Sequence, residues 1–152
     1  MLNSASVIID RPIEQVFELT NRDVAEWSIT VVEDTLVEDV NNGDVGTRFQ
    51  VVTEERGSRM DFDGVVTKWQ PPRLSEVHLE GKMFNIDAEY IFQDLGDGKT
   101  QVTQNSRVVG KGLTKLMFIC MGWMMKKSAC DATGKELASL KAYCEKHAAP
   151  VG

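Results

Sequence analysis

Histidine and cysteine are scarce in this chain. There are two histidines, His78 and His147, and three cysteines, Cys120, Cys130 and Cys144, with no Cys-x-x-Cys pair. A metal site built from such residues needs three or four ligands brought together, so no metal and no cofactor are expected. An odd number of cysteines within one helical stretch offers no disulfide framework, and reduced thiols are expected instead. No phosphate-binding glycine loop, G-x-G-x-x-G or G-x-S-x-G occurs either, which leaves no visible nucleophile and weighs against an enzyme. Long apolar runs are also missing. LMFICMGWMM, Leu116 to Met125, is ten residues closed in by Lys111, Lys115, Lys126 and Lys127. A bilayer span takes about 20 such residues, so stable membrane insertion is not expected. The opening MLNSASVIIDRP has neither the basic nor the apolar part of a secretory signal, which predicts a cytoplasmic protein.

Acid is abundant, and it is unevenly placed. Residues 1–110 hold ten Lys+Arg against twenty Asp+Glu, whereas residues 111–152 hold seven lysines against three acids, within a formal net charge of −6. Without a basic stripe interleaved with aromatics, nucleic acid is not an expected partner. A length of 152 residues predicts a single domain over 1–152, able to bury its own core.

The hydrophobic period changes along the chain. A short strand, SVII, gives way at Asp10-Arg11-Pro12, with Asp10 the expected N-cap, to a helix whose Ile13, Val16, Phe17 and Thr20 form one stripe. A second short helical turn, VAEW, ends on Trp27. Six segments of strand character follow: TVVEDTLVEDV, TRFQVVTEE, RMDFDGVVTKW, RLSEVHLEG, FNIDAEYIFQDL and TQVTQNSRVV. Tight turn signals separate them, which predicts an antiparallel meander. In FNIDAEYIF, Phe84, Ile86, Ala88, Tyr90 and Phe92 share one face, opposite Asn85, Asp87, Glu89 and Ile91. The last third reads as a long helix with Leu137, Leu140 and Cys144 on its apolar side and Lys135, Glu136, Lys141 and Glu145 turned outward.

Three stretches carry a resemblance. DRPIEQVFELTNRDVAEW resembles the entry segment of the START-like superfamily (SRPBCC, the helix-grip fold). GDVGTRFQV, with Gly43, Gly46 and Phe49, is similar to that family's turn into its third strand. VTKWQPPRLSEV, with Val66, Trp69, Pro71, Pro72, Arg73 and Leu74, resembles its proline corner. The likeness covers roughly residues 4–147 and points to the polyketide cyclase/dehydrase-like branch. It implies an α+β fold: a curved antiparallel sheet of about seven strands wrapped around a long C-terminal helix, with two short helices after the first strand. It also implies a hydrophobic cavity between sheet and helix. Members bind or transport lipid-like molecules, and a minority are cyclases or dehydratases, so the fold alone does not decide function.

The expected occupant is a small hydrophobic molecule, in a monomer or a homodimer. Its expected walls are Trp27, Phe49, Phe62, Trp69, Phe84, Tyr90, Phe92, Met117, Met121 and Met124. The methionine-rich run leaves no polar side, so part of it is expected to meet a ligand or, in an interaction module, a second subunit or a membrane surface, while the rest serves as core. Two registers are open for the last strand. If Val102 faces inward, so do Gln104 and Ser106; otherwise Thr103, Asn105 and Arg107 take their place. His78 points outward if Val77 and Leu79 point in. Were the registers reversed, His78, Asn105 and Arg107 would be the catalytic candidates for a cyclase or dehydratase.

Overall fold

A computed structural model describes residues 2–55 and 57–147, with the side chains of Phe118 and residues 120–129 outside that description. The elements are β1 (Leu2–Ile9), α1 (Ile13–Arg22), α2 (Val24–Trp27), β2 (Val31–Glu38), β3 (Arg48–Glu55), β4 (Ser58–Gln70), β5 (Leu74–Glu80), β6 (Phe84–Gly96), β7 (Lys99–Gly110) and α3 (Leu113–His147). All seven strands form one antiparallel sheet in the order β1-β7-β6-β5-β4-β3-β2. The meander from β2 to β7 is thus extended by β1, which closes onto β7 at the far edge. This is the helix-grip arrangement, a curved sheet around a long C-terminal helix.

Helix α1 buries Ile13, Val16, Phe17 and Thr20, the stripe its 3.6-residue period predicts. Its cap differs from expectation. Pro12, not Asp10, holds the N-cap position, and the Asp10 N–H donates instead to Glu145 Oε2 at 2.9 Å, which ties the chain entry to the end of α3. In β6, Ala88 and Phe92 are buried, whereas Ile91 is exposed, as strand alternation requires. The main core gathers Ile9, Val16, Phe17, Trp27, Phe92, Val102, Leu137, Leu140 and Cys144 between α1, the β1–β7–β6 side of the sheet and the last turns of α3. Burying Leu137 and Leu140 completely contributes about 1.5–3 kcal/mol each, so this half of the helix is firmly held.

The first turns of α3 are different. Thr114 is buried, but Leu113, Leu116, Met117 and Ile119 are exposed by 86%, 58%, 45% and 73%. The chain enters the helix directly from the end of β7, where Gly110 lies so close to Lys115 that an added Cβ would meet its backbone nitrogen at 2.7 Å. Met117 therefore faces outward rather than lining the space beneath the sheet. Met121 and Met124 lie outside the described residues. No helix among the described residues is long and apolar enough to cross a membrane.

Candidate functional site

A cavity of about 630 Å3 lies between the inner face of the sheet, the end of α1 and the Ala132–Glu136 turn of α3. Register explains which side chains reach it. One row across the inner face is Trp69, Ser75, Tyr90 and Gln104, paired strand to strand from β4 to β7. The next row is Val66, Val77, Ala88 and Ser106, and Leu79 with Ile86 follows. All of these line the cavity, and Phe49 and Val51 of β3 continue the wall. Phe49 has room because position 64 on the neighbouring strand is glycine. A Cβ there would sit 2.3 Å from the Phe49 ring.

Several expected wall residues belong elsewhere. Phe92 is 3% exposed and packs on Phe17 at 5.1 Å, inside the core. Phe62 is buried against Phe84 at 5.6 Å, and neither lines the cavity. Trp27 is core as well. Its indole N–H donates to the Thr20 carbonyl at 3.1 Å, and its ring stands edge-on to Tyr90 at 6.4 Å, holding that phenol in place from behind. Trp69, Phe49, Tyr90, Gln104 and Ser106 do line the cavity. Trp69 is backed by Phe17 at 5.0 Å.

Of the two registers open for β7, the one with Val102, Gln104 and Ser106 inward is present, because β6 presents Ala88, Tyr90 and Phe92 on that side. The other set faces out. Asn105 accepts from Ser4 Oγ at 2.8 Å and donates to Glu89 Oε1 at 3.2 Å, and Arg107 is exposed. His78 is on the same outer side, its Nδ1 2.6 Å from Asp87 Oδ1, since Val77 and Leu79 take the inward positions. None of His78, Asn105 and Arg107 lines the cavity.

Sequence reasoning missed Glu136. Instead of turning outward it lines the cavity, where its carboxylate accepts from Ser28 Oγ and from the Ile29 N–H at 2.9 Å. Ser139 one turn on donates to the Trp27 carbonyl, so two side chains of α3 hold the link between α2 and β2. Burial raises the Glu136 pKa above the ordinary carboxyl value, the two hydrogen bonds partly oppose this, and the Glu55 charge adds to it. Tyr90 is raised too, by burial first and then by the Glu136 charge, so its phenol stays protonated and can donate. The apolar stripe Leu137, Leu140, Cys144 marks only part of what this helix buries; Ala132, Thr133 and Glu136 form a second, adjoining stripe that no period in the sequence distinguishes from an exposed one.

Polar atoms without partners complete the site. Among the described residues, four buried side-chain oxygens find no hydrogen-bond partner: those of Gln15, Thr53, Ser75 and Gln104. Three of them, Thr53, Ser75 and Gln104, line the cavity. Strand alternation with Val77 and Leu79 could have identified Ser75; nothing in the sequence says it lacks a partner. The exposed charged members of the lining, Glu18, Arg22, Asp34 and Asp39, mark the rim, and Arg22 there is paired with Glu18. Asp34 is reachable by solvent through this opening, yet the walls crowd it enough to raise its pKa. Among the described residues no group of three or more His, Cys, Asp or Glu side chains gathers to hold a metal ion.

Comparison with known proteins agrees with this geometry. No curated protein matches the sequence. In structure the chain is similar to TTHA0849 from Thermus thermophilus, with a TM-score of 0.80 at 14% identity over 98% of this chain and 100% of that one. It is also similar to a START superfamily protein from Mycobacterium smegmatis, with a TM-score of 0.77 at 17% identity, covering 95% and 97%. The Zhui aromatase/cyclase from a Streptomyces species superposes with a TM-score of 0.73 at 12% identity, covering 99% of both. At such identities the likeness speaks for the fold. The family model described as polyketide cyclase/dehydrase and lipid transport matches residues 3–145, and to that START-like family this chain belongs.

Proposed function

We propose that this protein binds, and carries, a small hydrophobic or lipid-like molecule between the sheet and α3. The observation that supports this best is the cavity itself: about 630 Å3, walled by Phe49, Val51, Val66, Val77, Leu79, Ile86 and Ala88, with a few polar groups set among them. Small-molecule sites have this size and this mixture, apolar walls for affinity and sparse polar atoms for orientation. The test is uptake of the neutral fluorescent probe N-phenyl-1-naphthylamine. Ala88 is 8% exposed and lines the cavity, so Ala88→Phe fills the space. Probe uptake should fall more than tenfold while the circular dichroism spectrum is retained. A folded Ala88→Phe variant that takes up probe like the wild type sinks this reading.

Glu136 favours a second reading, a cyclase or dehydratase acting on a polyketide-like substrate. A carboxyl with a raised pKa, beside a protonated phenol, is suited to act as a general acid toward a departing hydroxyl. Turnover of a hydroxylated polyketide-like substrate should then show a pH limb that disappears in Glu136→Gln. A Glu136→Gln variant with unchanged turnover would remove the catalytic role.

A further inference from the structure

The cavity has two chemically different ends. Toward Phe49, Leu79 and Ile86 the walls are largely hydrocarbon, with Thr53 farther along β3, whereas the row Ser75–Tyr90–Gln104 offers oxygen across three adjacent strands spaced about 4.8 Å apart. Ser75 is 1% exposed and its hydroxyl has no partner in the protein; the Gln104 Oε1 is equally unpartnered. A buried polar atom without a partner destabilises the fold that contains it. Three of the four such atoms among the described residues lie on one cavity, which is where an incoming molecule would supply their partners.

The charge around this space is predominantly negative. Glu136 faces the interior and Asp34 and Asp39 stand at the rim, while Arg22, the single cation among the described lining residues, is engaged by Glu18. A ligand carboxylate or phosphate would meet these acids with no lining cation free to receive it. A hydroxyl is better matched: its O–H donates to Gln104 Oε1, and its oxygen accepts from Ser75 or Tyr90. We propose that the site selects neutral amphiphiles that carry a hydroxyl or phenol head, seated over the Ser75–Tyr90–Gln104 row with the apolar part toward Phe49, Leu79 and Ile86, and that it rejects anionic amphiphiles of the same size. This inference rests on the cavity-binding reading above and adds the chemical class of its ligand.

Three probes with one tail separate the two claims: hexylbenzene, 4-hexylphenol and 4-hexylbenzoate, each displacing N-phenyl-1-naphthylamine at pH 7. The wild type should bind the phenol at least tenfold more tightly than the benzoate, and more tightly than hexylbenzene. In the Ser75→Ala/Gln104→Leu double variant the ratio of phenol to hexylbenzene affinity should fall to about one. The variant should also melt higher than the empty wild type, because it removes two unpartnered polar groups. A benzoate that binds as tightly as the phenol, or a folded double variant that keeps the phenol advantage, overturns the inference and leaves cavity binding intact. Failure of all three probes to displace the dye from the wild type overturns the cavity reading itself. The wild-type phenol-to-benzoate ratio decides the matter even if the double variant does not fold.

Discussion

On their outer side, β5, β6 and β7 carry polar groups that have found one another. His78 meets Asp87 at 2.6 Å, Ser6 of β1 meets Thr103 at 2.8 Å, and Glu89 lies between Lys68 at 3.0 Å and Asn105 at 3.2 Å. The inner side of the same strands carries fewer polar groups, and Ser75 and Gln104 among them have no protein partner. Stability alone would reverse this distribution. Exposed pairs add little because water screens them, whereas an unpartnered buried oxygen is a sizeable loss. Unpartnered polar atoms on a cavity wall are a departure from stability of the kind usual at functional sites.

Four substitutions would test the contrast between the two faces. The largest effect is expected at Gly64, where any side chain meets the Phe49 ring. Gly64→Val should destabilise by about 1–3 kcal/mol through overpacking, read by denaturant titration. A neutral result would mean the cavity wall yields easily. Next comes Gln104→Leu, which should stabilise the empty protein by about 1–2 kcal/mol, since it removes the unpartnered Oε1 from the cavity wall. Destabilisation would show that the amide is satisfied without a ligand.

Glu136→Gln should act through pH. A raised folded-state pKa means that the folded chain holds this proton more tightly than the unfolded chain does. The resulting stabilisation is complete below the ordinary value of 4.5 and is lost as pH rises through the raised one. The melting temperature of Glu136→Gln relative to wild type should therefore climb between acidic and neutral pH. A difference that stays flat would place the carboxyl in an ordinary environment. The smallest effect is expected on the outer face. His78→Ala should change stability by less than about 1 kcal/mol and leave probe uptake untouched. Altered uptake would break the separation of the two faces.

Periodicity made much of this legible. The stripe Ile13, Val16, Phe17, Thr20 reappears as a buried face, and the alternation of FNIDAEYIF reappears with Ala88 and Phe92 buried and Ile86 and Tyr90 on the cavity wall, because local geometry alone decides which side chains share a side. Aromatic residues were harder to place. Trp69, Phe49 and Tyr90 line the cavity, while Trp27, Phe62 and Phe92 fill the core, and size and hydrophobicity are the same in either setting. Apolar character misled at α3. Leu113, Leu116, Met117 and Ile119 are exposed, while charged Glu136 is turned inward, since what a helix turn buries depends on what lies opposite it.

By itself, then, the sequence determined the element order, which residues share a face of a strand, and the family, all of which rest on contacts between near neighbours or on patterns repeated along one segment. The tertiary structure decided the register of β7, the inward turn of Glu136 and the unpartnered oxygens of Ser75 and Gln104 on the cavity wall. Those depend on which distant strand or loop lies across from each residue, and only the curvature of the sheet around α3 brings Glu136, Tyr90 and Gln104 to one cavity.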